Sequence, residues 1–508
     1  MHLDEILTEA AVRFPDRPAV SCGGLDFTYR ELDERVNRAA SNFRGLGLVP
    51  GDRLAYQLHN SRIEAIVTLF AALRAGLIVV PIPNRQGAAQ IAYCLRQCAA
   101  RAFVTEEEFF RRLTTEQLAG VEWTIITGPP IEGTVSFDAL PGDAHQELPK
   151  GFPGEDAIGL ILYTSGTTSR PKGVAHSQMR LRVRVDLFVE EMGFTEVDAT
   201  VAVAEIGRPI VLVGQVLAMM AVGGRISLPR IGNAEAFWNA YMAQGNTSYV
   251  ITRPGLLPEV LEHPGARQAS HAALRYWICG GDRVLPWLHR SVMEVTGKPV
   301  FEMCGMTEAG FYAITPPHDE IRPGSVGKLM FGVQARIVDE EGGEVPIGTV
   351  GEIMVRTPNT MIGYWNDTLG TFRVFMDRWI RSGDLARFDA DGYLWIVGRA
   401  KLMISRGGAK VAPPMVEDAI REHPAIMESV VVAQSDPIQG QVPFAFYQLR
   451  VGVTDPGPSA LREWLRSRLD TLSIPDTFMR VDSWPITAQG KVDRPRLTWI
   501  AESGGDGL

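Results

Sequence analysis

A short apolar segment, residues 157–162, runs directly into a loop rich in glycine, hydroxyl and basic residues. Such a short, bounded apolar run is typical of a buried β-strand. Backbone N–H groups in a loop of this composition can turn toward an anion, and glycine lets the chain approach it closely. Arg170 and Lys172 add positive charge. The segment predicts a polyphosphate-binding loop after a buried strand, and no Gly-Lys-Ser/Thr ends it as in a Walker loop.

Strand and helix patterns alternate on both sides of this loop. Strands are predicted at residues 52–57, 77–80, 102–105 and 124–127, a helix at 64–75, and a second α/β set over 200–301 that includes a strand at 202–205. This alternation is typical of parallel sheets with helical crossovers. From about residue 337, short strands with tight turns predict an antiparallel hairpin region.

The composition changes again beyond residue 398. A helix from residue 413, a strand at 429–433 and a helix capped by Ser459 predict a small α+β module. We therefore expect an α/β protein with a large N-terminal domain of α/β subdomains that includes a small antiparallel β region, and a small C-terminal α+β domain. The predicted boundaries are residues 1–398, a hinge at 399–404, and residues 405–508.

Three local patterns give further expectations. Thr28 and Glu31, three residues apart, predict a capping box at the start of a helix. Arginines at positions 180, 182 and 184 of a predicted helix over 178–191 are interpreted as a solvated face. Cys94 and Cys98 stand one helical turn apart with no second Cys/His pair nearby, which favours core packing over a metal site.

Bulk properties narrow the class of protein. A chain of 508 residues is too long for one core, and its formal net charge of −9 argues against nucleic acid as a partner. No apolar run reaches membrane-spanning length, and the N-terminus lacks signal-peptide features. Five scattered cysteines fit a reducing compartment. These properties predict a cytoplasmic multidomain enzyme without a membrane span, and carry no prediction of oligomeric state.

Four further groups follow at long separations. Glu308 comes directly after a predicted buried strand and is a suitable Mg²⁺ ligand, because magnesium in nucleotide sites takes one or two carboxylates. Asp384 is an acid that can accept both hydroxyls of a ribose. Arg399 brings charge to the domain boundary, and Lys491 stands in a glycine-containing loop near the C-terminus. Taken singly, each is more simply a cap, a turn residue or a surface charge.

Their joint occurrence in this order resembles the adenylate-forming superfamily: acyl- and aryl-CoA synthetases, peptide-synthetase adenylation domains and luciferases. The resemblance covers nearly the whole chain, includes residues 28–32 and 75–81, and is strongest to an acyl- or aryl-CoA ligase. It implies ATP, Mg²⁺ and CoA as cofactors and co-substrate. A carboxylate attacks the α-phosphorus of ATP, pyrophosphate leaves, and a thiol then takes the acyl group and releases AMP.

The resemblance also implies roles for individual residues. The phosphate-binding residues are Thr164, Ser165, Gly166, Thr167, Thr168, Lys172 and Thr307. The adenine region is Gly280, Gly281, Asp282 and Cys304, the ribose is held by Asp384 and Arg399, and the metal ligand is Glu308. The catalytic residue is Lys491, the hinge is Lys401, the acid pocket includes Gly207, Arg208 and Gly305, and the CoA channel includes Gly407 and Gly408.

Three positions depart from the family pattern and bear on ligands. Ser169 replaces a usual glycine of the loop, and Cys304 replaces a tyrosine that packs on adenine. Gly207 lacks the bulky side chain of many relatives, which predicts room for a bulky, mostly apolar acid. Arg208 either meets a polar group of that acid or a phosphate, or pairs with Glu205. The acyl acceptor is predicted to be CoA, with the phosphopantetheine of a separate carrier protein as the alternative.

Overall fold

The computed structural model describes residues 3–140, 157–164, 171–282, 284–487 and 492–503. The chain divides into two compact units, Met1–Ala335 with Val355–Ile380, and Arg336–Met354 with Arg381–Leu508. The division by contacts therefore lies earlier than the hinge predicted at 399–404. Antiparallel pairing explains this, because Leu385 lies opposite Gly398 and keeps the hairpin before the hinge in one unit. The hinge is a hypothesis about movement and stays a prediction.

The first unit contains two large sheets that are mostly parallel in their centres. Within the described residues, the nine strands of one sheet are, in spatial order, Lys328–Leu329, Gly310–Ile314, Val300–Met306, Tyr276–Gly280, Tyr249–Thr252, Ala199–Val201, Arg225–Leu228, Pro18–Cys22 and Leu25–Thr28. The eight described strands of the other are Gly363–Tyr364, Lys172–Ser177, Ile158–Thr164, Ile78–Pro81, Arg53–Gln57, Ala100–Thr105, Trp123–Ile126 and Val135–Ser136. Parallel strands of this kind are buried on both faces and need helical connections.

Helices supply these connections. The described α-helices of the first unit are Glu5–Arg13, Tyr29–Gly45, Ile63–Arg74, Ala88–Cys98, Glu107–Phe110, Gln178–Met192, Pro209–Val211, Ala218–Val222, Ala234–Gln244, Leu257–Glu262, Gly265–Gln268, Pro286–Thr296 and Thr368–Val374, with a π-helical segment Leu212–Leu217 and a 3₁₀ turn Pro254–Leu256. Their buried faces pack against the sheets in several apolar clusters, one of which contains residues of both sheets. No helix within the described ranges is both long and apolar enough to cross a lipid bilayer.

The second unit is built on smaller sheets. One has the strands Gln334–Val338, Gly351–Arg356, Trp379–Phe388 and Phe375–Met376, with Leu394–Arg399 paired to the third; most of its residues belong to this unit. The other has Ala409–Val411, Ile404–Arg406, Gly440–Leu449 and Ile426–Asp436, with Thr477–Arg480 paired to the third. Its described helices are Pro413–Arg421, Gly457–Arg466 and Arg494–Glu502, with 3₁₀ turns Ala400–Leu402 and Thr471–Ser473. The predicted fold class is confirmed.

Local expectations are met in part. The Thr28 capping box is present, with both reciprocal hydrogen bonds to Glu31, and Cys94 and Cys98 are buried in an apolar cluster. The helix predicted to begin at a Ser459 cap instead begins at Gly457 without a side-chain cap.

The strand predicted at 202–205 is wrong, because the strand there is Ala199–Val201. The N–H of Ala202 still donates to the carbonyl oxygen of Ser227 on the neighbouring strand, and residues 203–205 are buried outside the sheet. Their main chain is held by Asn60, which donates from Nδ2 to the oxygen of Ala204 and accepts from the N–H of Ile206. The mostly apolar sequence of residues 202–205 therefore indicates burial and does not indicate a β-strand.

Candidate active site

The predicted phosphate loop connects two paired strands. Ile158–Thr164 leads into it and Lys172–Ser177 leads out, and these strands are antiparallel with Thr164 opposite Lys172. The two predicted phosphate ligands that flank the loop therefore lie side by side. Ser165, Gly166, Thr167 and Thr168 lie outside the described residues, as does Ser169, and their roles stay predictions.

Lys172 is held over an aromatic ring. Its ammonium lies 4.4 Å from the ring centroid of Tyr364 and 3.9 Å from Oδ2 of Asp367. Tyr364 reaches this position because the edge strand Gly363–Tyr364 pairs with Lys172–Ser177. A cation over the face of a tyrosine ring is attracted by the ring quadrupole. The Lys172 side chain stays about one-third exposed, so its charge is positioned and still accessible to an anion.

The same tyrosine orients Glu308. The Tyr364 hydroxyl donates to Oε1 of Glu308 at 2.7 Å. Burial, and after it the charge of Glu308, raise the pKa of the Tyr364 hydroxyl, which keeps it a protonated donor at neutral pH. The structure thus connects the predicted phosphate ligand Lys172 with the predicted metal ligand Glu308. Sequence analysis missed Tyr364, because a single tyrosine in a Gly-Tyr-Trp segment has no distinguishing pattern.

The prediction that three arginines form a solvated face is wrong. Arg184 is fully buried, Arg180 donates to the carbonyl oxygen of Thr360 at 3.1 Å, and Arg182 forms ion pairs with acidic side chains. Burial lowers the pKa of Arg184 to about 10, so the group remains charged at neutral pH. Segments distant in sequence cover this helix, and its long side chains reach their backbone carbonyls.

Arg184 supports the main chain around Glu308. Its Nη2 donates to the carbonyl oxygen of Asn359 at 2.8 Å. Its guanidinium packs so closely on Gly310 that a Cβ there would lie 2.7 Å from Cζ. The N–H of Met361 in turn donates to the carbonyl oxygen of Glu308 at 2.8 Å. Arg184 is therefore a positioning residue for the segment that carries the predicted metal ligand.

The predicted adenine region lies at two adjacent strand ends. Gly280, which ends one strand, is opposite Met303 of the next, and a Cβ at position 280 would lie 2.8 Å from the Met303 carbonyl oxygen. Gly281 follows with a φ of +83° and turns the chain toward Asp282. The Cys304 thiol donates to the hydroxyl of the buried Tyr312 at 3.0 Å. The structure brings these four predicted residues together, and their contact with adenine remains a prediction.

At Gly207, a neighbouring proline takes the place of a side chain. A Cβ at position 207 would lie 2.7 Å from Cβ of Pro81, so the missing side chain makes room for Pro81 and opens no space on that side. The cavity beside it is only about 20 Å³, about enough for one water molecule. The missing side chain at Gly207 therefore does not create the room for a bulky acid that the sequence predicted there.

The other predicted pocket residues differ in their surroundings. Arg208 lies with its Nε 3.7 Å from Oε2 of Glu205, so the ion pair is present. Gly305 is exposed, and a Cβ there would lie 2.6 Å from the carbonyl oxygen of Gly310, which requires glycine. Thr307 is half-buried in the turn between Gly305 and Glu308.

The predicted ribose ligands belong to the second unit. Asp384 and Arg399 are Cα partners on antiparallel strands, and Arg399 Nε lies 2.8 Å from Asp384 Oδ1. Ser382 Oγ accepts from the N–H of Asp384 at 3.0 Å. The Asp384 side chain is largely buried while Arg399 is half-exposed. The carboxylate is thus held at a fixed orientation, as a ligand of two vicinal hydroxyls would need to be.

The predicted hinge and channel residues lie close together in sequence. Lys401 is in the 3₁₀ turn Ala400–Leu402. Gly407 and Gly408 connect strands Ile404–Arg406 and Ala409–Val411, with φ of +55° and +89°. Two successive positive φ angles are typical of a tight hairpin turn that favours glycine. Lys491, the predicted catalytic residue, lies outside the described residues.

These groups fit a magnesium–nucleotide complex chemically. Glu308 supplies a carboxylate oxygen, the donor that Mg²⁺ prefers alongside phosphate oxygens and water. Lys172 supplies an accessible positive charge beside the loop, and Asp384 a held carboxylate for hydroxyl groups. These are the donor types that the predicted nucleotide site requires, and the role of each residue stays a prediction.

Comparison with known proteins agrees with the predicted class of enzyme. Residues 7–365 match the AMP-binding enzyme family and residues 415–491 match the AMP-binding enzyme C-terminal domain. A feruloyl-CoA synthase from Amycolatopsis sp. is 31% identical over 94% of both chains. An indoleacetate–CoA ligase from Aromatoleum aromaticum is 30% identical over 95% of this chain and 93% of its own. A fatty acid–[acyl-carrier-protein] ligase from Streptomyces coeruleorubidus is 29% identical over 95% and 93%.

Solved structures show the same architecture. An anthranilate CoA ligase in complex with anthranoyl-AMP superposes with a TM-score of 0.90, at 25% identity, over 99% of this chain and 98% of the other. The chain belongs to the AMP-binding enzyme family. The predicted resemblance to adenylate-forming enzymes is confirmed. At the level of the family, the predicted enzyme class, an AMP-forming acid–thiol ligase, is also confirmed. The predicted use of ATP, Mg²⁺ and CoA is confirmed at the same level.

Proposed function

We propose that the protein activates a bulky, mostly apolar carboxylic acid with ATP and transfers the acyl group to CoA. The acid's carboxylate oxygen attacks the α-phosphorus of ATP, the bond to the β-phosphate breaks, and pyrophosphate leaves. The CoA sulfur then attacks the acyl carbon, the bond to the phosphate oxygen breaks, and AMP leaves. The observation that carries the proposal is the connection of Lys172 and Glu308 through Tyr364, beside a loop of phosphate-binding composition.

Charge explains why these residues suit the first step. Attack of a carboxylate on a polyphosphate brings negative charges together, so alignment and neutralisation are the main requirements. Lys172 neutralises phosphate oxygens, and Glu308 holds Mg²⁺, which when bound supplies further positive charge there. Thr307 and Thr164 donate to phosphate oxygens, and Asp384 holds the ribose. Lys491 bridges the acid carboxylate and the α-phosphate as the bond forms.

The second step requires a change of access. Lys401 is proposed as the pivot about which residues 405–508 rotate, which withdraws Lys491 and admits the thiol. Gly407 and Gly408 line the path of the pantetheine arm. A Cβ at either position would meet no atom within 4 Å, which fits residues beside an open path.

Relatives support an aromatic or otherwise apolar acid, because two of those compared are named for ferulate and indoleacetate. The acceptor has one alternative. The relative named as a fatty acid–[acyl-carrier-protein] ligase favours transfer to a carrier protein's phosphopantetheine as a second candidate. Offering CoA and carrier proteins separately and weighing the thioester by mass spectrometry distinguishes them. Acylation of a carrier but not of CoA would refute the first candidate.

The proposed location is the cytoplasm.

The Lys491→Ala variant tests the chemistry. Acid-dependent exchange of pyrophosphate into ATP should fall by at least about a hundredfold, as for other transition-state charge donors, while ATP binding measured by calorimetry changes little. Lys410→Ala is the matched control, because Lys410 is an exposed lysine of the same unit. Undiminished exchange in Lys491→Ala would overturn its assignment as the catalytic residue.

A further inference from the structure

The small cavity beside Gly207 lies between the two large sheets of the first unit. Its volume is about 20 Å³, which is room for about one water molecule. Most of its wall comes from the end of the strand Arg53–Gln57 and the residues after it, from residues 81–84, and from residues 205–207. The first two segments belong to or follow the eight-stranded sheet, and the third follows a strand of the nine-stranded sheet.

Tyr56 brings a buried hydroxyl to this cavity. The residue lines the cavity and is 4% exposed. Its hydroxyl oxygen has no hydrogen-bond partner within the described residues. Burial raises the pKa of this hydroxyl, which keeps it a protonated donor. Because a buried polar group without a partner is destabilising, whereas a phenylalanine would fill the same space without that cost, the hydroxyl indicates a polar ligand here.

Glu205 brings a buried carboxylate oxygen to the same cavity. Its Oε1 accepts from the N–H of Asn84 at 3.1 Å. Its Oε2 lies 3.7 Å from Nε of Arg208, which is too long for a hydrogen bond. In the part of the chain that the structure describes, this oxygen has no hydrogen-bond partner. A donor and an acceptor, both buried, thus belong to two residues that line one cavity.

Water suits this pair of groups in size and in chemistry. One molecule can accept from the Tyr56 hydroxyl and donate to Oε2 of Glu205, and buried waters make two to four such bonds. Mg²⁺ and Ca²⁺ require about six or more oxygen ligands, far more than these two. The main-chain oxygens of Leu58 and Pro83, which also line the cavity, already accept from side-chain amides.

The position of the cavity gives such a bridge a role. Asn60 already holds the main chain on both sides of Glu205, through the oxygen of Ala204 and the N–H of Ile206. A bridge from Tyr56 would hold the side chain of Glu205 as well. The carboxylate that lies beside Arg208 would then be fixed to the eight-stranded sheet, together with the segment that carries the predicted acid pocket.

We propose that this cavity is a binding site for one water molecule, which accepts from the Tyr56 hydroxyl and donates to Oε2 of Glu205. Tyr56 is then a positioning residue for the acid-binding segment 205–208. The proposal rests on the proposed function and deepens its account of the acid site. The bridge orients Glu205 and Arg208 and leaves the nucleotide-binding residues unchanged.

X-ray diffraction from crystals of the wild-type protein, at a resolution that shows ordered water, tests the site itself. A water oxygen within about 2.6–3.2 Å of both Tyr56 Oη and Glu205 Oε2 is expected, and in Tyr56→Phe it should be lost or displaced. A direct hydrogen bond between the two side chains, a metal ion in the cavity, or no ordered atom there would each overturn the proposal.

Pyrophosphate exchange, with cinnamic and hexanoic acids as probes, tests the positioning role. Tyr56→Phe and Glu205→Gln should each lower kcat/KM for the acid by about three- to tenfold, as for loss of one hydrogen bond, with the KM for MgATP unchanged. Because one water connects the two groups, the double variant should lose about as much as the more impaired single variant. A loss equal to the product of the two single losses would overturn the bridge.

Tyr241→Phe is the matched control, because it removes a tyrosine hydroxyl whose partner, His271, is outside this cavity; it should keep the wild-type kcat/KM for the acid. Thermal melting of each variant separates loss of positioning from loss of folding. A loss in Tyr56→Phe that is equal for the acid and for MgATP would overturn the positioning role. No exchange by the wild-type protein with any apolar acid would instead refute the proposed function, and diffraction would still decide the water site.

Discussion

The hydroxyl of Tyr364 offers a sharp test of the site, because one oxygen atom separates tyrosine from phenylalanine. Tyr364→Phe removes the 2.7 Å hydrogen bond to Oε1 of Glu308. It keeps the ring that lies under the ammonium of Lys172. Any change in Tyr364→Phe therefore reports on the orientation of Glu308 and not on the position of Lys172.

The size of the effect follows from the type of bond. A hydrogen bond to a charged group contributes about 1.5–3 kcal/mol, and the half-buried position of Tyr364 favours the lower end of that range. About 1.5 kcal/mol corresponds to about a tenfold loss in kcat/KM for MgATP. Tyr364→Leu also removes the cation–π contact, which contributes about 0.5–1 kcal/mol at a partly exposed site. Its kcat/KM for MgATP should therefore be about two- to fivefold lower than that of Tyr364→Phe.

The assay is pyrophosphate exchange measured over a range of Mg²⁺ concentrations. If Glu308 holds the metal, Tyr364→Phe should need more Mg²⁺ for half-maximal rate. Tyr241→Phe is the matched control, since it removes a hydroxyl whose partner is His271, outside the predicted site. Wild-type kcat/KM and wild-type Mg²⁺ dependence in Tyr364→Phe would refute the idea that this hydroxyl orients a metal ligand.

Three further changes test the fold. Gly207→Ala should cost about 1–3 kcal/mol by overpacking against Pro81, measured by urea unfolding; unchanged stability would mean that the two segments separate easily. Thr28→Ala should cost about 1 kcal/mol by removing the capping box, and Thr28→Ser should restore most of it. Burial holds the pKa of His176 well below its usual range, so as the pH falls below about 6.5 only the unfolded chain takes up the proton and stability is lost. His176→Leu should flatten the dependence of the free energy of unfolding on pH between about 7 and 5, by up to about 1.4 kcal/mol per pH unit. His318→Leu, at an exposed position, should leave that dependence unchanged.

Features set by residues near in sequence were predictable. The Thr28 capping box depends on a residue three positions away, and the strand before the phosphate loop is marked by its own apolar run. The division into parallel α/β and antiparallel regions follows from the spacing of such runs. These patterns succeed because the interactions that decide them are local.

Features set by packing between distant segments were not predictable. Tyr364 reaches Glu308 only because an edge strand pairs beside the phosphate loop. Arg184 resembles any helical surface arginine in sequence, and its burial depends on which chain segment covers the helix. Pro81 lies 126 positions before Gly207, so the sequence at position 207 shows the missing side chain without showing what replaces it.

The closeness of Arg184 and Gly310 has a consequence for which substitutions this chain can accept. The guanidinium at 184 occupies the volume that a side chain at 310 would need, and Gly310 has a φ of +78° that also favours glycine. Either residue alone is therefore constrained by the other. A larger residue at 310 becomes compatible with the fold only after position 184 has shortened, and the order of those two substitutions is fixed.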